Sequence, residues 1–173
     1  MAADFNTTAG ETIARELMIL YLNPGTTAQP VWSPLGKRVE DSSAELDWSD
    51  ETIQDILGDT YTTLKKPVMT QSFDPYRLDS GDAAIEKIWQ LAIEEHNAQA
   101  LANMDVLLVH FYAGTAATPF AERYSSSAIK PTGLGGEGGG SLEMPIDVTF
   151  GGTRTTGTAS KNASGVVTFT PTV

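Results

Sequence analysis

The residues best placed to do chemistry in this chain are carboxylates. Glu40, Asp41, Glu45, Asp47, Asp50, Glu51, Asp55 and Asp59 fall in a segment that contains no Lys or Arg. A run of that kind can hold cations through its oxygens, or it can repel anions and prevent adhesion. Like charges gathered on extended structure repel one another, so the pattern costs stability unless it has a task. Calcium would need oxygen ligands at fixed offsets around a glycine, and here apolar residues interrupt that spacing. Paired carboxylates for glycoside hydrolysis can come from distant positions. Aromatics, however, make up only 8% of the chain, and Trp32, Trp48 and Trp89 are scattered rather than gathered into a sugar-stacking groove.

Other chemical motifs lack their context. Gly133-Leu134-Gly135-Gly136-Glu137-Gly138 matches the glycine spacing of dinucleotide sites, but it lies in a polar loop ahead of a strand, with no helix N-terminus to receive a pyrophosphate. His96 falls near a helix end, where it suits a capping role, and His110 sits inside an apolar run as a core or interface histidine. There is no Cys, no G-x-S-x-G and no H-E-x-x-H. No catalytic, cofactor-binding or metal-binding residue is assigned, and no enzyme activity is expected.

The charge balance narrows the class further. With 22 acidic against 11 basic residues, the chain carries a net charge of −11. It therefore cannot wrap tightly around a polyanion, which requires clustered Lys and Arg. Its 173 residues, 40% of them hydrophobic, suffice for one domain with a core. The first cation is Arg15 and no apolar segment follows it, so no secretory leader is expected. The longest apolar runs, Leu17–Leu22 and Val106–Tyr112, are far short of the ~20 residues that span a bilayer.

The elements that would position these groups are mostly strands. Residues 1–12 read as an arm. Leu17–Leu22, Lys37–Trp48, Asp59–Phe73, Val106–Tyr112 and Phe120–Ile129 read as strands, with Ser49–Gly58 as a loop or short helical turn. Residues 131–140 form a glycine-rich loop. Leu142, Met144, Ile146, Val148 and Phe150 alternate with polar residues, which predicts a half-buried strand with a free edge or bulge at Pro145. Thr153–Thr158 and Val166–Thr170 complete the set. One amphipathic helix is predicted over Asp82–Asn97, capped by Asp79 or Ser80, with Ile85, Ile88, Trp89 and Ala92 as its core face. The sum is a mainly β (α+β) domain, a β-sandwich or small barrel with a helix on its side.

The order and spacing of several pieces carry a resemblance. They are Val31-Trp32-Ser33-Pro34-Leu35-Gly36, the Asp41–Trp48 strand with its Ser49–Gly58 loop, and the Asp59–Tyr76 strand ending in Phe73-Asp74-Pro75. After the helix come Ala128-Ile129-Lys130-Pro131, Gly135-Gly136-Glu137, the alternating strand and Gly151-Gly152-Thr153. From about Glu11 onward the sequence resembles the tail tube (major tail) proteins of long-tailed bacteriophages. The resemblance implies a β-sandwich or split barrel with one flanking helix, shared with the tubes of contractile injection systems. It implies homohexameric rings whose inner strands join into one β-barrel, stacked into a hollow tube that conducts DNA. It further implies assembly in the host bacterial cytoplasm, a place in the virion tail, and no membrane or cofactor. The implied partners are other copies of the chain, a tail terminator, a tape measure and baseplate or tip proteins, with genomic DNA passing through unbound.

On that reading the acidic stripe has a task, because an anionic wall keeps DNA from sticking. Glu40, Asp41, Glu45, Asp47 and Asp59 are expected to line the lumen, with Lys65 and Lys66 paired to a neighbour's carboxylates. The loop bearing Asp50, Glu51, Ile53, Asp55, Ile56 and Leu57 is expected to contact another subunit, since its apolar members are too few to form a core of their own. Two alternatives stand beside this reading: a non-tube β-sandwich virion module, such as a decoration or adhesin domain, and an acidic-site hydrolase.

Overall fold

The computed structural model describes residues 4–172. Its strands are β1 (Met18–Leu22), β2 (Ser33–Pro34), β3 (Ala44–Asp47), β4 (Glu51–Gln54), β5 (Thr60–Thr63) and β6 (Val68–Phe73), followed by β7 (Met104–Gly114), β8 (Pro119–Pro131), β9 (Ile146–Thr149), β10 (Arg154–Lys161) and β11 (Val167–Pro171). Two short helices, α1 (Ala83–Trp89) and α2 (Ala98–Leu101), separate β6 from β7.

The long strand β8 organises the molecule. Its first half pairs on both sides, so that Ala121 lies between Val109 of β7 and Gly157 of β10. Its second half turns to β9, with Ala128 opposite Thr149 and Ile129 opposite Val148. One strand thus joins two wings: β2-β1-β7-β8-β10-β11, and β8-β9-β6-β3. Every pairing is antiparallel, and the sheet curls into a half-barrel. The fold is mainly β.

Side-chain alternation sends apolar residues to both faces of the first wing. Leu20 and Leu22 of β1, with Val106 and Leu108 of β7, join the main core around Phe73, Tyr76, Ile85, Ile88, Ile146 and Val148. Tyr21, Leu107 and Val109 point the other way, to a second cluster with Trp32, Ala121, Ala159 and Val167. The uninterrupted apolar run in β7 is explained by burial on both faces. Burial also pushes the Tyr21 phenol up to about 12.

Several sequence expectations need correction. The predicted helix is regular only over α1. It widens into a π-type turn at Gln90–Glu94, where Glu95 N–H donates to Gln90 O, before α2 begins. The buried stripe is Ala84, Ile85, Ile88 and Leu91, rotated from the predicted one, while Trp89 is 37% exposed and Ala92 half-buried. The cap is Asp82, whose carboxylate accepts from the Ala84 and Ile85 amides. Asp79 instead pairs with Lys37 and Arg38. The first acidic strand is only Ala44–Asp47. The Asp59–Phe73 strand breaks at Lys65-Lys66-Pro67 into β5 and β6, because proline supplies no amide to a ladder. The segment read as a loop over Ser49–Gly58 contains β4, half of a β4–β5 hairpin. The alternating strand has no free edge at Pro145: β9 starts at Ile146 and lies between β6 and β8.

Candidate functional site: an acidic sheet face and a projecting hairpin

The β8-β9-β6-β3 wing has two unlike faces because side chains alternate along each strand. Gln71 and Phe73 of β6 and Ile146 and Val148 of β9 are buried on one side. The opposite face carries Glu45 and Asp47 of β3, Thr70 and Ser72 of β6, and Asp147 and Thr149 of β9, placed by the pairs Glu45–Thr70, Thr70–Thr149 and Ser72–Asp147. Asp147 accepts from the Ser72 hydroxyl at 2.8 Å and meets the Lys130 ammonium at 3.3 Å. Beside this face Asp41, Glu45 and Asp74 share a small cavity of about 190 Å³ with Ser42, Ser43, Thr70 and Ser72. The wing therefore presents a polar, acidic surface over an apolar core.

The predicted acidic residues do not all converge. Glu45 and Asp47 share the face, and Asp41 adjoins it. Glu40 instead lines a separate cavity of about 720 Å³ with Arg15, Glu16, Lys37 and Gln71. Asp59 belongs to the tip of the hairpin, where its amide donates to the Asp55 carboxylate at 2.9 Å. Asp74 and Asp147 were missed. Asp147 was legible as a polar member of the alternating strand, but nothing in the sequence reveals that its ladder partner is β6.

Among the described residues β3 bonds only to β6, which leaves its outer edge unpaired. Beyond it the chain leaves the sheet as the β4–β5 hairpin, whose strands pair with each other and, among the described residues, with no other strand. Every residue of β4 and β5 is exposed. Ile53 sits opposite Tyr61, and both are more than half exposed. Ile56 is fully exposed, Leu57 is 82% exposed, and Leu46, Trp48, Leu64 and Val68 near the base are also exposed. Asp55 shapes the tip by accepting from the Leu57 and Asp59 amides. Lys65 and Lys66 follow β5, and Lys65 N–H donates to Trp48 O. An isolated two-stranded hairpin is at best marginally stable in water, and this one leaves its apolar side chains in solvent.

The buried charges elsewhere are structural. Glu122 accepts from the Tyr124 hydroxyl at 2.7 Å and from Arg154 at 3.0 Å, and His110 lies 3.7 Å away. Burial alone would raise its pKa. The nearby His110 ring, the bonds from Arg154 and Tyr124 and the Arg154 charge overcome that and hold the carboxyl well below its usual range. His110 also meets the Tyr112 hydroxyl at 2.9 Å. Asp105 takes a two-pronged bond from Arg123, at 2.9 and 2.8 Å, and a third from Asn23. Asn23 Oδ1 in turn accepts from Gly25 and Val31, fixing the loop that carries Trp32. His96 adopts a positive φ at the end of the helical segment. Among the described residues no group of three or more His, Cys, Asp or Glu could hold a metal ion, and no helix is long and apolar enough to cross a membrane.

No protein-family model and no curated protein matches this chain. Solved structures do resemble it. A chain from the cryo-EM structure of an extracellular contractile injection system, the PVC sheath/tube terminator in its extended state, aligns over 86% of this chain and 99% of its own, at 8% identity and a TM-score of 0.54. A chain of the PVC sheath-tube complex aligns over 87% and 94% at 8% identity, with a TM-score of 0.49. The tube-terminating cap of the anti-feeding prophage aligns over 89% and 96% at 13% identity, with a TM-score of 0.47. At such identities the first of these likenesses establishes a shared fold and nothing finer.

Proposed function

We propose that this chain is a structural subunit of a phage-type tail tube. Copies join side by side into homohexameric rings, and the rings stack into a hollow conduit. The observation that carries this reading is the β4–β5 hairpin, which holds Ile53, Ile56, Leu57 and Tyr61 in solvent and, among the described residues, joins no other strand. The unpaired edge of β3 adds a second joint, because an exposed ladder edge is a template for a strand of a neighbouring copy. On this reading the β3–β6–β9 strands form the inner wall, and Glu45, Asp47 and Asp147 make it anionic. DNA then passes without being held. The likeness to a chain of an injection-system assembly is in keeping with it.

Negative-stain electron microscopy of the purified protein tests the reading. Long hollow rods are expected. Isolated short rings would point to a subunit that closes the end of a tube, and monomers persisting at high concentration would overturn assembly altogether. As a matched control, Ile53→Ser with Leu57→Ser should leave a folded monomer that no longer polymerises.

A further inference from the structure

A groove of about 750 Å³ runs between the helical segment and the loop after β8, within the size range of binding clefts. Ile93, Leu101, Ile129 and Leu134 give it an apolar lining. Among the described residues its titratable lining is His96 and Lys130, with no carboxylate. The Lys130 side chain is 72% exposed although it already meets Asp147, so it can approach a second anion.

The hairpin tip has the complementary character. Ile56 and Leu57 stand out from a turn bounded by Asp55 and Asp59, and neither carboxylate has an ion-pair partner among the described residues. The chain does not fill its own groove, because Ile56 is fully exposed. Resting on the assembly reading above, we propose that the hairpin tip of one copy seats in this groove of a second copy. Ile56 and Leu57 cover Ile93, Leu101 and Leu134, while Asp55 and Asp59 face Lys130 and His96.

Two other occupants fit less well. A tip-to-tip contact would bring Asp55 and Asp59 of both copies together, and like charges repel. The other sizeable cavity, of about 720 Å³, is lined by Glu16, Glu40 and Asp82 against Arg15 and Lys37, so its carboxylates outnumber its cations and oppose an acidic tip. The tip and the groove are different surfaces of one chain, so their contact is head-to-tail. Each copy inserts a tip and receives one, and the assembly closes into a ring or extends indefinitely.

The absence of native cysteine gives a clean cross-linking background. Leu57→Cys and Ala102→Cys variants, purified separately and checked for unchanged thermal melting, are mixed under mild oxidant and examined by mass spectrometry and microscopy. A disulfide joining residues 57 and 102 of different copies is expected, in excess of the 57–57 product. Lys130→Glu should slow it about tenfold, and Asp55→Lys with Asp59→Lys should restore it in that background. Rods or rings without the 57–102 disulfide would overturn the groove as acceptor while leaving the tube reading intact. Absence of both assembly and disulfide would overturn the two together. A 57–102 disulfide that forms as fast in Lys130→Glu as in its parent would overturn the charge pairing.

Discussion

The Tyr76 hydroxyl donates to Asp82 Oδ2 at 3.0 Å, and the other oxygen of that carboxylate accepts the first free amides of α1. Gly36 N–H donates to the same phenol at 3.2 Å, so one buried pair ties the loop after β2, the end of β6 and the start of the helix. Burial, reinforced by the Asp82 charge, pushes the Tyr76 phenol far above its ordinary range. Asp82→Ala removes the cap and leaves a buried hydroxyl without its acceptor. Its cost should be about 2–4 kcal/mol, with Asp82→Asn milder because it keeps an acceptor oxygen. Urea denaturation measures both, and an alanine variant as stable as the parent would show that the pair does not anchor the helix.

The Glu122 network makes stability depend on pH in a definite direction. The folded carboxyl lies below its ordinary value of 4.5, so its contribution is complete above that value. It is lost as pH falls from there toward the depressed folded value. Between about pH 5 and 2 the unfolding free energy of the parent should fall more steeply than that of Glu122→Gln. Equal slopes would mean that the contacts of His110, Arg154 and Tyr124 with the carboxylate carry no net stabilisation.

Trp89 is the largest side chain of the predicted helical stripe, yet it lies at the edge of the buried face. Trp89→Ala should therefore cost about 1 kcal/mol, whereas Ile88→Ala, at a fully buried site, should cost about 2–5 kcal/mol. Chemical denaturation separates them, and a reversed order would return Trp89 to the core.

The acidic face gives a prediction independent of stability. Glu45→Lys with Asp47→Lys lies on an exposed surface and should leave assembly intact while raising adhesion to DNA. That adhesion should weaken steeply with salt, as phosphate contacts do. Filter binding at graded ionic strength checks it. If reversing both charges left DNA adhesion unchanged, the proposed anionic wall would lose its support.

Much of the fold was legible where the pattern was local. The alternation from Met144 to Phe150 and the apolar run in β7 predict their burial directly, since strand periodicity and two-sided covering leave plain traces, whereas Leu142 at the start of the pattern is exposed. The phase of the helix was less legible: the buried set Ala84, Ile85, Ile88 and Leu91 and the projected set with Trp89 and Ala92 both keep helical spacing, and residue types alone do not fix which of the two adjoining stripes meets the sheet. The β4 half of the hairpin was invisible as strand, and β5 was read only as the start of a longer one, because all their residues are exposed and with neither face in the core no alternation is imposed. The candidate face was only half legible for a different reason. Glu45 and Asp47 announce themselves by charge density, but Asp147 joins them through β6–β9 pairing between segments remote in sequence, which residue types do not encode.

Because β8 belongs to both ladders, the molecule has no seam along which its two wings could part. Tension entering through the hairpin reaches β3, crosses β6 and β9, and arrives at the Ala128–Pro131 half of a strand whose other half is clamped between β7 and β10. A subunit built this way passes mechanical load across its whole width, and it can yield only by giving up the strand that both wings share.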